Sequence, residues 1–294
     1  MASTLFSPGV DTLIDLAISE DLSSGDVTSD AVFAMEVTGQ ATFRAKQPMV
    51  LAGEPVVERV MARVDPALQV SWHARDGQRI GKGAFGTVSG PVRSLLRAER
   101  TALNFLRKLS GVATAAWEFQ SELRPGNTRL LDTRKTTPGF RELEKYAVRM
   151  GGAFNHRVNL GAGAMIKNNH IDAAGSIAEA VARVRARLPF LAMVEVEVRD
   201  EDEAAAAVAA GADALLLDNM DTETMARIVA RFGAQTRLEA SGNITRDRLR
   251  ELAPIGLHYV SSGWITHSSP AADISLTVGG RFPLAPVLET LAQP

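Results

Sequence analysis

The chain has 294 residues, a formal net charge of −2, an apolar fraction of 46% and a charged fraction of 22%. That is enough chain for one large or two ordinary globular domains, and so even a charge balance gives no reason to expect nucleic acid or a membrane surface as partner. The absence of cysteine excludes disulfides, thiolate nucleophiles and thiolate metal sites. No apolar run approaches the roughly 20 residues of a membrane span. The opening MASTLFSPGVDTL lacks a basic start followed by an apolar core, so a cytoplasmic protein is expected.

Leu13, Leu16, Ala17 and Ile18 mark one face of a helix over 11–21. The acidic, turn-rich EDLSSGDVTS follows. Residues 39–53 alternate in part and predict strand, 54–64 predict a helix, and the Gly-rich 67–90 contains strand-like QVSW and TVSG. Together they predict an α+β domain over 1–111, with helices on one face of an antiparallel sheet. A long helix over 92–109 should end at Gly111.

Beyond Thr128 the rhythm changes to short apolar strands alternating with helical segments. Strands are predicted at 129–132, 164–166, 192–198, 214–217, 237–240 and 258–261. Helices are predicted at 141–150, 174–188, 200–210, 222–232 and 245–253. Repeated βα units imply a parallel sheet, either an incomplete barrel or a doubly wound open sheet.

Chemistry in such a barrel gathers at the C-terminal strand ends. There the chain places Asp132, Thr133, Arg134 and Lys135; Lys167 to His170; Glu195 and Glu197; Asp218 and Asn219; Glu239, Ser241, Gly242 and Asn243; and Ser261 to Gly263, with Thr266 and His267 beyond. Arg134, Lys135, His156, Arg157 and Lys167 form a cationic set, and Glu197 and Asp218 an acidic one. The first suits a ligand with carboxylates, the second a sugar or its metal, and the small SGN and SSG loops a phosphate. Arg141, Glu142, Glu144 and Lys145 mix signs at helical spacing and read as a solvated helix face. The histidines show no metal-ligand spacing, and His73 and His258 read as structural.

DTRKTTPGFRELEKYAV, GGAFNHR, MIKNNHI, LLLDNM, LEASGNIT and THS, with EDLSSGDVTS and ERTALNFLRKLSGVAT before them, resemble the quinolinate phosphoribosyltransferases (the carboxylating nicotinate-nucleotide pyrophosphorylases) over nearly the whole chain. The resemblance implies a type II phosphoribosyltransferase fold: an N-terminal α/β (α+β) sandwich domain over 1–111, an incomplete parallel α/β barrel over 112–269, and a segment 270–294 packing back on the first domain. It implies phosphoribosyl transfer from 5-phosphoribosyl 1-pyrophosphate to quinolinate with loss of CO2, Mg2+ as cofactor, and a homodimer with sites at the subunit interface. It assigns Arg134, His156, Arg157 and Lys167 to quinolinate, Arg100 to the partner's site, and Lys135 to the reacting centre. Glu197, preferred to Glu195, and Asp218 become the ribose-side acids, holding metal directly or through substrate. Ser241, Gly242, Asn243, Ser262, Gly263 and His267 fall to the phosphates. Asn243 stands where the family usually has glycine, Asn168 where an acid is common, and Trp264 where a smaller residue is expected.

Two other readings compete. Lys167 at a strand tip could be a Schiff-base nucleophile of an aldolase, which leaves the arginines unexplained. A molybdate-transport-associated paralogue resembles the same family without being an enzyme, but departs from it in the TRKTTPG and MIKNNHI motifs that are intact here.

Overall fold

A computed structural model describes residues 6–284. Among them no helix is long and apolar enough to cross a membrane. Contacts group the chain into two units, one built from the residues up to Thr114 with those from Pro270 onward, the other from Ala115–Ser269.

The first unit opens with helices α1 (Pro8–Leu22) and α2 (Val27–Val32). The Asp26 carboxylate caps α2 by accepting from the amides of Thr28 and Ser29 at 3.1 and 3.0 Å, so a short helix stands where only acidic turns were expected. Next come β1 (Thr38–Ala45), β2 (Met49–Val50), α3 (Glu54–Val64), β3 (Gln69–Trp72), β4 (Arg79–Ile80) and β5 (Gly83–Pro91). β1 alternates, burying Ala41, Phe43 and Ala45, and Phe43 stacks on Trp72 at 5.0 Å. Helix α3 packs on β3 and buries Val56, Val57, Val60 and Met61.

Helix α4 (Val92–Glu122) corrects the expected break at Gly111 and runs straight past it. A Cβ on Gly111 would lie 2.1 Å from the Pro270 carbonyl oxygen, so this glycine admits a close backbone approach. One glycine costs a helix only about 1 kcal/mol, which a 31-residue helix buried along much of its length absorbs.

The second unit continues with β6 (Arg129–Leu131), α5 (Arg141–Met150), β7 (Ala164–Ile166), α6 (Asn168–Ala174), α7 (Ile177–Arg185), β8 (Val194–Val198), α8 (Glu201–Ala209), β9 (Ala214–Asp218), α9 (Thr222–Phe232), β10 (Arg237–Ser241), α10 (Arg246–Leu252), β11 (Tyr259–Ser261) and α11 (Trp264–His267). The helix expected over 174–188 starts only at Ile177, because Gly175 turns left-handed at φ 88° and Ser176 caps α7, and a separate short helix, α6, precedes it where none was expected. The parallel sheet has six strands in the order β6-β11-β10-β9-β8-β7. The first strand lies beside the last and the others follow in sequence. That cyclic order belongs to a barrel left unclosed; a doubly wound sheet would reverse direction midway. At the open edge Phe154 bridges to Leu131 in parallel.

Alternation along the strands sorts their side chains. Val194, Val196, Val198, Leu215, Leu217, Leu238, Ala240 and Val260 are fully buried. The intervening Glu195, Glu197, Leu216, Asp218, Glu239, Ser241 and Ser261 line cavities.

Finally β12 (Ile274–Gly279) pairs antiparallel with β1, giving the first unit a sheet of order β12-β1-β5-β3. This strand was not foreseen within the returning segment, and residues 285–294 of that segment lie outside the described residues.

Candidate active site

A cavity of about 460 Å³ opens at the C-terminal ends of the parallel strands. One part of its wall is cationic, with Arg134, Lys135, Arg157 and Lys167; the rest carries Glu197, Asp218, Asn219, Ser241, Gly242 and Asn243. Among the described residues, no carboxylate pairs with Arg134, Lys135 or Arg157 within 4 Å, and Arg134 Nε is buried without any partner. Burial, and then the neighbouring Arg134 charge, disfavour the Arg157 cation and lower its pKa. Such a cluster is relieved by an anion of more than one charge.

The expected separation of cationic and acidic walls is incomplete. Lys167 Nζ donates to Glu197 Oε2 at 2.7 Å, so the walls meet there. Asp218 Oδ1 accepts from Asn219 Nδ2 at 3.1 Å, and Asn219 Oδ1 accepts from Asn243 Nδ2 at 3.1 Å. Asn219 and Asn243 are both left-handed, at φ 52° and 48°, which asparagine tolerates. Gly242 is left-handed at φ 98°, which favours glycine, and a Cβ there would also press on the Asn219 side chain at 2.2 Å.

A buried ion pair carries the cationic wall. Helix α5 supplies Lys145, β6 leads into Asp132, and the two side chains are hydrogen-bonded in the interior. Asp132 also accepts from the His156 amide at 2.8 Å and from Asn155 Nδ2 at 2.6 Å, while Lys145 donates to the His156 carbonyl at 3.1 Å. These contacts correct the solvated-face reading of Glu144 and Lys145, both buried. Glu144 accepts from the Thr137 amide and hydroxyl at 3.0 and 2.8 Å, fixing the TTPGF turn.

Below this cavity lies a second, of about 320 Å³, bounded by the lower parts of the same strands. His156, Arg157 and Glu239 line both. His156 Nε2 lies 3.0 Å from Glu195 Oε2 and 3.4 Å from Glu239 Oε2. Burial opposes charge on the imidazole, but hydrogen bonds to Glu195 and Glu239 outweigh it and push it up to about 10. A depression of about 490 Å³ lined by Gly126 to Arg129, Ala253, Pro254 and Gly256 to Tyr259 gathers no comparable charge.

Residues 26–110 match the family described as "Quinolinate phosphoribosyl transferase, N-terminal domain", and residues 112–277 match its C-terminal domain. The chain belongs to the quinolinate phosphoribosyltransferase family. It is 40% identical over 260 residues to the probable nicotinate-nucleotide pyrophosphorylase [carboxylating] of Bacillus subtilis, covering 88% of this chain and 90% of that one. Identity to the Synechocystis protein of the same description is 38%, over 92% of each chain. The nicotinate-nucleotide pyrophosphorylase structure from Francisella tularensis superimposes with a TM-score of 0.88 at 38% identity, covering 92% of this chain and 96% of that one.

Of the residues that the family resemblance singles out, Arg134, Lys135, His156, Arg157, Lys167, Glu197, Asp218, Ser241, Gly242 and Asn243 meet in the upper cavity. Glu195 lies one layer lower, in the second. Ser262, Gly263 and His267 stand outside the lining. The Ser262 amide donates to the Leu131 carbonyl at 3.0 Å, and Gly263 lies between the Lys135 stem and the His267 ring. Arg100 is exposed on α4 in the first unit. His170 accepts from the Lys167 amide at 2.9 Å and so caps α6, and His258 accepts from the Leu238 amide at 3.2 Å. Trp264 stacks on Phe119 at 5.0 Å, so its ring is packed against α4, and Asn168 Oδ1 is buried without a partner. Thr133, Met165, Leu216, Asn219, Glu239 and Ser261 also line the upper cavity without an assigned role. All but Met165 and Leu216 stand in the strand-end sets read from the sequence.

Proposed function

We propose that the chain transfers the phosphoribosyl group of 5-phosphoribosyl 1-pyrophosphate to the ring nitrogen of quinolinate and releases the adjacent carboxylate as CO2, forming nicotinate mononucleotide for NAD biosynthesis. The convergence of Arg134, Lys135 and Arg157, unpaired by any described carboxylate, carries this reading. Two carboxylates on one ring match such a set through charge-assisted, partly bidentate hydrogen bonds. As pyrophosphate departs, positive charge grows on the ribose, and Glu197 and Asp218 lie on the same cavity to stabilise it. The pyridinium then draws in the electrons released with CO2.

Mg2+ fits the acidic wall in chemical type, since it takes one or two carboxylates together with substrate phosphates and water. Glu197 and Asp218 would hold it, and when bound it would neutralise the leaving pyrophosphate. Arg100, exposed in the first unit, suits a role in a partner's site within a homodimer.

An aldolase using Lys167 is not favoured: its Nζ contacts Glu197 at 2.7 Å as an ammonium would, whereas a Schiff-base nucleophile is an uncharged amine. The intact catalytic motifs do not favour a non-enzymatic paralogue either. The purified protein with Mg2+ should release CO2 and pyrophosphate from quinolinate, and nicotinate should be a poor substitute, because Arg134, Arg157 and Lys167 exceed what one carboxylate needs. Equal turnover of nicotinate sinks the reading. For the dimer, inactive Arg100→Ala and inactive Lys135→Ala subunits should regain activity when mixed. No recovery after verified subunit exchange would place Arg100 in its own chain's site.

A further inference from the structure

The reaction proposed above leaves a proton unaccounted for. Once CO2 leaves, an electron pair remains on ring carbon C2, and the product carries hydrogen there. None of the roles assigned so far supplies it.

Glu239 stands in the middle of β10, 3% exposed, and forms part of the wall of both cavities. Its Oε2 faces His156 Nε2 at 3.4 Å, while its Oε1 is buried with no hydrogen-bond partner. Around it stand His156 and Arg157, Glu195 from β8, Ser261 and Tyr259 from β11, and Arg237 from its own strand. The Ser261 hydroxyl donates to Ser241 Oγ at 3.1 Å and also stands close enough to Glu239 to favour its charged form, against the larger effect of burial.

Geometry and burial together favour a proton on Glu239. Burial pushes the Glu239 carboxyl up, and its carboxylate neighbours draw protons to His156. Such a cluster titrates as a unit. One proton lies at His156 Nε2, between the carboxylates. The raised proton affinity belongs to the cluster as a whole: the Arg157 amide donates to Nδ1 at 2.8 Å, so a second proton rests more easily on a buried carboxyl than on the ring. Glu239 is the buried group left to carry it.

We propose that Glu239 is the proton donor to C2 after decarboxylation, and that the lower cavity is the path by which water restores its proton. The bond between C2 and its carboxylate breaks, and the electron pair stays on C2. That pair takes the Glu239 proton, forming the C–H bond and leaving a carboxylate. His156 Nε2–H steadies that charge until a proton from water in the lower cavity returns. One solvent proton is consumed for each CO2 released.

This rests on the proposed reaction, so wild-type CO2 release is measured first; its absence sinks the reaction itself, whatever the variants do. With active wild type, Glu239→Gln keeps the shape and hydrogen bonding of the carboxyl but has no transferable proton. Its kcat should fall about a hundredfold, within the range of general acid catalysis, while calorimetric quinolinate affinity stays near the wild-type value. Formate, small enough for the lower cavity, should restore part of the turnover of Glu239→Ala and none of Arg134→Ala. Ala214→Leu narrows the lower cavity without touching the upper lining, and should lower kcat and enlarge the solvent deuterium isotope effect. Wild-type kcat in Glu239→Gln overturns the proposal. So does a loss of quinolinate binding that matches the loss of kcat, because a purely structural residue would show that pattern and no formate rescue.

Discussion

Arg134→Ala should weaken quinolinate binding by roughly a hundredfold and leave the pyrophosphate side of the site working. Arg134 lines the cavity, and its buried Nε has no protein partner, so a bound carboxylate would be its first. Removing one member of a desolvated charge pair costs about 2–5 kcal/mol, and each 1.4 kcal/mol or so is tenfold in affinity. The loss should fall toward the lower part of that range, because removing Arg134 also removes the charge that opposes the Arg157 cation. Asp218→Asn should behave in the opposite way, with quinolinate affinity nearly unchanged and turnover and the response to Mg2+ lowered. An acid beside a dicarboxylate repels it, so Asp218 belongs to the sugar and metal. Glu197 is a different case because it engages Lys167 at 2.7 Å; Glu197→Gln should free that ammonium and tighten quinolinate binding while slowing turnover. Calorimetric titration of quinolinate into the variants tests the set. Binding abolished by Asp218→Asn and spared by Arg134→Ala would overturn these assignments.

The strand ends were legible in the sequence because two periodicities coincide there. Short apolar runs mark the strands, and polar residues at their C-terminal limits mark the rim. The Ala164–Ile166 strand falls where its short apolar run puts it, and the 141–150 and 222–232 helices fall where their amphipathic spacing puts them. What was misread depends on neighbours distant in the chain. Gly111 looks like a helix stop until the Pro270 backbone is placed against it. β12 alternates as a strand should, but its partner β1 lies more than two hundred residues earlier. Lys145 mixes with acids at helical spacing, the mark of a solvent face, and only the fold turns it toward Asp132. The pairing of His156 with Glu195 and Glu239 is the same kind of case. Alternation places both glutamates on the lumen side, but nothing local brings a histidine from the loop after α5 between them. Charge type was readable, therefore, and charge partnership was not.

The Asp132–Lys145 pair carries the largest expected loss of stability. Lys145→Met leaves the Asp132 carboxylate buried with no countercharge. Burial already pushes that carboxyl up and the Lys145 ammonium down, and each holds the other ionised. Breaking such a pair costs about 3–5 kcal/mol, although replacing both members by apolar groups of similar volume is often nearly neutral. At roughly 2–4 °C per kcal/mol for a protein of this size, the melting temperature of Lys145→Met should fall by about 10 °C. The combined Asp132→Leu and Lys145→Met variant should recover most of that loss. It should not recover quinolinate binding. Asp132 also accepts from the His156 amide at 2.8 Å and from Asn155 Nδ2 at 2.6 Å, and Lys145 donates to the His156 carbonyl at 3.1 Å. An apolar pair fills the volume and makes none of those bonds, so the segment that carries His156 and Arg157 loses its anchor while the core stays filled. Calorimetric unfolding and quinolinate titration on the single and double variants separate the effects. A double variant that regains both stability and affinity would show that the pair serves packing alone and that the cationic wall is held from elsewhere.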